Sequence, residues 1–222
     1  MFSNQKLEDI SNRESTELCK IMTKYFSDKA SGDHSHHHNY TKLYHELFSH
    51  RRDEPLNILE IGIGSVDVNI PSNMTGGPLG RYYRPGASIL GWHEYFPNAN
   101  IYACDIDKTI LNFSEPRITG FFLDQTNESC IDDVIANGPL KDIEFDIICD
   151  DGLHYFPVNC NVMKKLLPKV KKGGVYIIED ILHSQYDYRS IDFNLLNGKE
   201  YQYIRFPNSH NTADNNLFIV KV

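Results

Sequence analysis

Apolar residues follow two rhythms along the chain. Over residues 1–50 they recur at helical spacing. LCKIMTKYF (18–26) and YTKLYHELF (40–48) each place apolar side chains three and four positions apart. Between them SDKASGDHSHHHN (27–39) is polar and reads as a loop. From residue 56 onward, apolar runs of strand length alternate with helical segments. LNILEIGI (56–63) reads as a strand entering a glycine-rich turn, ASILGWHEYF (87–96) as a helix ended by Pro97, and NIYACDID (100–107) as a second strand. RITGFFLD (117–124) is a third strand and ESCIDDVIAN (128–137) a helix stopped at Gly138-Pro139. FDIICDD (145–151) is a fourth strand, PVNCNVMKKLLPKV (157–170) a helix with Pro157 in its first turn, and GVYIIED (174–180) a fifth strand. YQYIRF (201–206) and NLFIVKV (216–222) are two further strands whose polar link has no room for a crossover helix.

Continuous apolar strands alternating with helices predict an α/β fold: a mostly parallel sheet covered on both faces, with a C-terminal antiparallel hairpin and N-terminal helices. Ligands in such sheets bind at the carboxyl ends of the strands.

Composition narrows the picture. A chain of 222 residues with 41% hydrophobic positions suits one domain, or one domain with an appended segment. The net charge of −8 argues against nucleic acid as a partner. The local basic run Lys164, Lys165, Lys169, Lys171 and Lys172 reads as a solvated helix end. The 5 cysteines are scattered without a CxxC pair, which suggests a reducing compartment and a cytoplasmic protein. Cys104 and Cys149 lie inside predicted strands, where a thiol acts as a small hydrophobe. No apolar run is long enough to span a membrane, and the first residues have no signal-peptide pattern.

The strand ends carry the chemistry. Gly62 and Gly64 allow a sharp turn and a close backbone approach, but Asp67 stands where a dinucleotide fingerprint requires its third glycine. Glu60, before the turn, is placed to accept hydrogen bonds from an ammonium group. The loop 65–86 is long for a strand–helix connection and reads as a lid or substrate loop, with Arg81, Tyr82, Tyr83 and Arg84 as candidate ligand contacts. Asp105 ends the second strand, where an acid accepts ribose hydroxyls. Asp124 and Gln125 end the third, suited to an adenine edge. The fourth ends in Asp150 and Asp151 with His154 beyond, and the fifth in Glu179 and Asp180. Carboxylates gathered this closely repel unless a cation sits among them, and oxygen donors without cysteine favour Mg²⁺, Mn²⁺ or Ca²⁺ over zinc. Each acid alone is also a plausible helix cap.

Taken together, LEIGIG, GASILGWHEYFPNANIYACDID, DDGLH and GGVYIIED resemble the class I S-adenosylmethionine-dependent methyltransferases. Within that class they are similar to the metal-dependent O-methyltransferases of antibiotic sugars and to cephalosporin hydroxylase-type proteins. The upstream SDKAS…HNYTKLY is similar to that group's TDK…HxY…Y segment, so the resemblance covers residues 27–182. It implies a Rossmann-like sheet in residues 51–222 that binds S-adenosylmethionine, and a helical segment with a cofactor or substrate loop in residues 1–50. It implies Mg²⁺ or Mn²⁺ held by Asp151, Glu179 and Asp180, with His154 as general base. Glu60, Gly62, Gly64, Ser88, Asp105, Asp124 and Asp150 would serve the cofactor, with Asp150 either facing it or supporting the turn. The implied reaction is methylation of a hydroxyl on a small molecule, a sugar or related polyol, by a homo-oligomer that binds neither nucleic acid nor membrane. This chain departs from the group at Leu153, where a small polar residue is usual, at the GRYYRPG loop, and in lacking a large extra N-terminal domain.

Two other readings compete: a nicotinamide oxidoreductase on the same sheet, and a non-catalytic cofactor- or metal-binding protein. The missing third glycine counts against the first, and the complete set of acids with His154 against the second. The His34, His36, His37 and His38 tract lacks cysteines, and consecutive histidines do not all face one ion. It reads as a loop closing over the site, with one histidine and Tyr40 or Tyr44 making contact, rather than as a zinc centre.

Overall fold

A computed structural model describes residues 1–30, 38–76 and 80–222. Three helices precede the sheet: α1 (Asn4–Ser11), α2 (Glu17–Lys24) and α3 (Tyr40–Phe48). α2 starts where the Thr16 hydroxyl accepts the Cys19 N–H at 3.2 Å, and Lys24 in its last turn suits the negative end of the helix dipole. There follow β1 (Asn57–Ile61), α4 (Ala87–Tyr95), β2 (Asn100–Asp105), β3 (Ile118–Phe122), α5 (Glu128–Ala136), β4 (Phe145–Asp150), α6 (Phe156–Leu166), β5 (Val170–Ile178), β6 (Glu200–Arg205) and β7 (Asn216–Lys221).

The strands form one 7-stranded sheet in the order β3-β2-β1-β4-β5-β7-β6. β1 to β5 pair in parallel, whereas β7 runs antiparallel to both β5 and β6. The mostly parallel sheet with an antiparallel hairpin is therefore as the apolar pattern predicts. The chain enters the hairpin at the sheet edge, through β6, and returns inward through β7.

Side chains alternate between the two faces of each strand, and this assigns the faces. Ile58, Ile101, Ile147, Val175 and Ile177 pack in one hydrophobic cluster with Met22, Leu43, Tyr44 and Trp92 from α2, α3 and α4. Leu59, Ile148, Tyr176 and Ile178 pack in the other with Ile131, Val162 and Met163 from α5 and α6. A carboxylate at a strand end therefore addresses the N-terminal helices or α6 according to its parity.

The fifth strand begins earlier than expected. α6 ends at Leu166, a short 3₁₀ turn spans Leu167–Lys169, and Val170 already pairs with Phe145. Pro168 has no N–H with which to continue the helix. Lys171 and Lys172 thus belong to β5 rather than to a helix end, and Lys171 pairs with Asp146 at 2.7 Å. Between β5 and β6, residues 181–199 form short turns that bury Ile181, Ile191 and Leu196 against the α6 face.

Candidate active site

A cavity of about 200 Å³ opens at the carboxyl ends of β1, β2 and β3 and reaches the residues that follow β4. Gly62, Gly64, Ser88, Asp105, Asp124, Asp151 and His154 all line it. Gly62 and Gly64 have φ of +81° and +79°, which an L side chain rarely adopts. A Cβ on Gly62 would lie 2.3 Å from the Asp151 carbonyl oxygen, so this glycine lets the β1 turn touch the segment after β4. A Cβ on Gly64 would lie 1.8 Å from the Tyr83 hydroxyl, so the second glycine admits Tyr83 into the cavity wall. Asp105 is rigid: its Oδ2 accepts the Ile63 N–H at 2.9 Å and its Oδ1 the Asp107 N–H at 2.8 Å. Asp124 closes a local turn, accepting the Thr126 N–H at 2.9 Å. The 65–86 loop folds against the DDGLH segment, where Ser72 donates to the Leu153 carbonyl at 2.8 Å.

Two expected cofactor contacts do not reach the cavity. Glu60 is fully buried on the N-terminal-helix face and accepts bonds from the Ser88 hydroxyl and from the Trp92 indole at 2.5 Å. Burial, partly offset by Lys29, raises its pKa to about 7. Asp150 has the opposite parity and points toward α6. It accepts from Gln125 at 2.7 Å, Asn159 at 3.0 Å and Tyr176 at 3.3 Å, and burial raises its pKa to about 7 against those bonds. Both acids lie one layer behind the cavity, Glu60 behind Ser88 and Asp150 behind Gln125.

The acids after β4 and β5 divide into two groups. Ligand atoms of Asp151, His154 and Asp180 lie within 4.8 Å of one another. The His154 Nε2–H faces Asp151 Oδ1 at 3.1 Å and Asp180 Oδ2 at 3.7 Å. His154 and Asp180 have φ of 55° and 52°. Left-handed backbone costs a non-glycine residue about 1–2 kcal/mol. In Asp180 it overrides the strand alternation and turns the carboxylate toward Tyr40, whose hydroxyl donates to it at 2.8 Å. His38 completes this side. Its Nε2 lies 3.3 Å from Asp180 Oδ1 and its Nδ1 donates to Asn215 Oδ1 at 3.1 Å, so both ring nitrogens face oxygen acceptors. Burial disfavours charge on His38, but Asp180, Asp28 and Asp214 outweigh it and raise the pKa.

Glu179 does not join this set. One oxygen accepts bonds from the Tyr44 hydroxyl and from Cys149 Sγ at 2.8 Å; the other meets Lys29 Nζ at 2.5 Å. Cys149, expected to be only a small hydrophobe, is thus a thiol donor. Lys29 also reaches Asp151 Oδ2 at 2.5 Å and Glu60 Oε1 at 3.7 Å, and is 1% exposed. Burial pushes the Asp151 pKa up, but Lys29 and His154 overcome this and hold it at about 2. Burial likewise opposes charge on His154, and Asp151 and Asp180 raise its pKa to about 10. Burial, eased by His38, raises that of Asp180 to about 7.

No family model matches the chain. Curated relatives do. Demethylmacrocin O-methyltransferase of Streptomyces fradiae is 34% identical over 170 residues, which are 74% of this chain and 36% of that protein. Mycinamicin VI 2''-O-methyltransferase of Micromonospora griseorubida is 31% identical over 173 residues, again 74% of this chain and 36% of its own length. The chain thus spans about a third of the length of the curated relatives it matches. Among solved structures, the MycE methyltransferase from the mycinamycin biosynthetic pathway, in complex with Mg and SAH, superposes with a TM-score of 0.64 at 22% identity, covering 94% of this chain and 55% of that one. A putative O-methyltransferase from Klebsiella pneumoniae superposes at 0.53 over 99% of this chain and 95% of its own. The chain has the fold of these methyltransferases, and its sequence is similar to the curated O-methyltransferases over 74% of its length.

In this fold the upstream SDK…HNYTKLY segment acquires a physical role. Lys29, His38, Tyr40 and Tyr44 all come from it, and all bind Glu179, Asp180 or Asp151. His34, His36 and His37 lie outside the described residues, as does the side chain of Arg81. Among the described side chains of the GRYYRPG sequence, Tyr83 lines the cavity. Lys29, among the described residues the one buried cation in contact with Glu60, Asp151 and Glu179, was not legible from residue type, because lysine is almost never buried unless paired.

Proposed function

We propose that the protein is an S-adenosylmethionine-dependent, Mg²⁺- or Mn²⁺-dependent O-methyltransferase acting on a hydroxyl of a sugar or related polyol. The observation that carries this reading is the opening of Asp151 and His154 directly into the cavity formed by the glycine turn, with Asp180 in ligand distance behind them. In support, these relatives' names all describe O-methyltransferases, three of them acting on rhamnosyl or olivosyl compounds.

The cavity supplies groups suited to each part of the cofactor. Gly62 and Gly64 let backbone approach it closely, Asp105 offers a fixed carboxylate to ribose hydroxyls, and Asp124, on the same cavity wall, is suited to an adenine edge. Ser88 touches the cavity and is oriented by Glu60; Gln125 is oriented by Asp150. In this reading residues 51–222 form the cofactor-binding unit and residues 1–50 the clamp on Glu179 and Asp180.

Asp151 and Asp180 offer hard oxygen donors that fit Mg²⁺, and the adjacent imidazole also admits Mn²⁺. Held by Asp151 and Asp180, a divalent cation would offset the two carboxylates and lower the pKa of the acceptor hydroxyl. Methyl transfer forms the O–CH₃ bond as the S⁺–CH₃ bond breaks, and the hydroxyl proton leaves to a base. His154, at the cavity wall, takes that proton in its neutral form, which a cation offsetting Asp151 and Asp180 would favour over the protonated ring that those two carboxylates otherwise hold. Asp151 orients its ring through the 3.1 Å bond to Nε2. The expected size of a general-base contribution is about 10²- to 10⁴-fold.

The protein acts on a small molecule in the cytoplasm, as a homo-oligomer. The scattered free thiols at Cys19, Cys104, Cys130, Cys149 and Cys160 and the net charge of −8 support the cytoplasmic, small-molecule part of this reading.

Calorimetry with S-adenosylmethionine and with NAD tests the cofactor, with binding expected for the first alone. In a methyl-transfer assay over a library of sugars and phenols, EDTA should abolish turnover and Mg²⁺ restore it. His154→Ala should keep cofactor affinity near wild type while losing about 10²- to 10⁴-fold in turnover. Full turnover in that variant removes His154 from the mechanism.

A further inference from the structure

The sheet ends in an open edge. β6 is outermost in the strand order and pairs with β7 from Glu200↔Lys221 to Arg205↔Asn216 without a bulge. In an antiparallel pair, alternate residues exchange both backbone bonds with the partner strand, and the residues between them turn their N–H and C=O away from it. The Phe206 N–H donates to the Asn215 carbonyl at 3.1 Å, so that pair is a bonded one. Counting back, Ile204, Gln202 and Glu200 bond β7, and Tyr201, Tyr203 and Arg205 turn their backbone groups outward. Among the described residues, nothing bonds the outward N–H or C=O of those three. Strand edges are usually blunted by proline, lysine or a bulge, and EYQYIR has none of them. On the face toward the N-terminal helices, Gln202 bonds the Phe2 N–H and C=O, each at 2.8 Å, which fixes the strand without covering its edge.

The side chains here suit an interface. Tyr201 is 43% exposed, and Phe193, 46% exposed, packs against it with ring centroids 6.0 Å apart. Tyr203 stacks on Tyr186 at 3.9 Å. Arg205 is exposed and pairs with no carboxylate among the described residues. Tyrosine, phenylalanine and arginine are the residue types enriched where protein surfaces meet.

We propose that β6 pairs antiparallel with β6 of a second copy of this chain, about a twofold axis at Tyr203, joining the two 7-stranded sheets into one. Outward backbone groups must meet outward groups, so odd-numbered residues lie opposite odd-numbered ones. With the axis at Tyr203, Arg205 lies opposite Tyr201 of the second copy, and the symmetry makes this cation–aromatic contact twice. With the axis at Gln202, Arg205 would lie opposite Lys199 of the second copy, and the like charges repel. The strand is thus complementary to itself, in one register, which identifies the partner as a second copy. β6 runs directly into the 206–215 link, whose Asn215 bonds His38 at 3.1 Å, so the joined edge ends beside the candidate site.

The inference gives the homo-oligomer of the proposed function its face. It is tested without cofactor or acceptor, and calorimetry with S-adenosylmethionine on the same sample decides the function separately. Sedimentation of the full chain from nanomolar to micromolar concentration should show a dimer that dissociates on dilution. Hydrogen exchange should find the amides of Tyr201, Tyr203 and Arg205 protected in the dimer and fast in the dilute monomer. Tyr201→Pro removes an outward N–H without removing a bond to β7 and should leave a monomer. Arg205→Glu should raise the dimer dissociation constant about 10-fold. Should Tyr201→Pro fail to fold, Arg205→Glu, a surface change, and the exchange pattern of wild type decide. A wild type that is monomeric throughout overturns the proposal. So does a dimer whose three outward amides exchange fast, or whose dissociation constant Arg205→Glu leaves unchanged.

Discussion

The two ends of strand β4 carry acids in opposite circumstances. At its start Asp146 is 5% exposed and receives the Arg51 guanidinium at 2.8 Å, the Lys171 ammonium at 2.7 Å and the Asn57 N–H at 2.9 Å. Burial pushes its pKa up, but these partners more than compensate and hold it below the usual carboxylate range. Two cations serve one acid. Beyond the other end of β4, Asp151 shares the single Lys29 with Glu60 and Glu179, and Asp180 leans on His38 and His154. There Glu60 and Asp180 both have pKa values raised to about 7. Two residues of the cluster, His154 and Asp180, also sit in left-handed backbone. One end is closed electrostatically and contributes to stability. The other is left short of positive charge and strained, the condition expected where a ligand completes the site.

The sharpest break of this contrast is Asp180→Asn. It removes a carboxylate from a crowded group while the amide oxygen still accepts from Tyr40. Methyl transfer should fall by about 10²- to 10³-fold, the range for losing a charge-stabilising group in an active site. The melting temperature of the metal-free protein should not fall, because like-charge repulsion is relieved. A drop in melting temperature with activity retained would make Asp180 a structural acid like Asp146.

Glycines at the two ends sharpen the comparison next. Gly62 and Gly173 have nearly the same φ, +81° and +82°. Beside Gly62 an added Cβ would meet backbone, Asp151 O at 2.3 Å and Gly152 Cα at 2.6 Å; beside Gly173 it would meet nothing within 4 Å. Gly173→Ala should therefore cost only the backbone penalty, about 1–2 kcal/mol. Gly62→Ala adds overpacking of about 1–3 kcal/mol and moves the segment that carries Asp151 and His154. Urea titration should separate the two variants, and calorimetry should show weakened S-adenosylmethionine binding for Gly62→Ala alone.

Which parts of this were legible in the sequence follows from the same physics. Apolar runs and their punctuation locate every strand to within a few residues, and a short link forces the final pair to be antiparallel. The start of β5 escaped because Lys171 and Lys172 are polar, although Lys171 lies against Asp146. The strand-end acids were legible as a group but not in their directions. Strand parity sends Glu60 and Glu179 toward the N-terminal helices and Asp150 toward α6, where neighbours invisible in the sequence bury them. Asp180 breaks that parity through a positive φ that no sequence pattern announces. Lys29 was hidden because a lysine in a polar stretch reads as solvated. Its nearest signal was the SDK motif itself, set upstream of two tyrosines at helical spacing.

The mirror image of Asp180→Asn, and the variant with the smallest expected effect on methyl transfer, is Asp146→Asn. The substitution keeps the size of the side chain but removes the charge that Arg51 and Lys171 share. Those cations are 24% and 34% exposed and regain water, so the expected loss is about 1–3 kcal/mol rather than the larger cost of stranding a fully buried charge. Methyl transfer should be unchanged, since Asp146 lies at the far end of the strand. The pH dependence fixes the cause. The folded protein holds the Asp146 pKa below its unfolded value, near 3.9. The stabilisation is therefore complete above about pH 4 and disappears as pH falls through the lower, folded value. Wild type and Asp146→Asn should differ in urea midpoint from neutral pH down to about pH 4 and converge below it. A difference that persists unchanged in stronger acid would mean that the charge of Asp146 is not what holds β1, β4 and β5 together at that end, and the contrast between the two ends of β4 would fail.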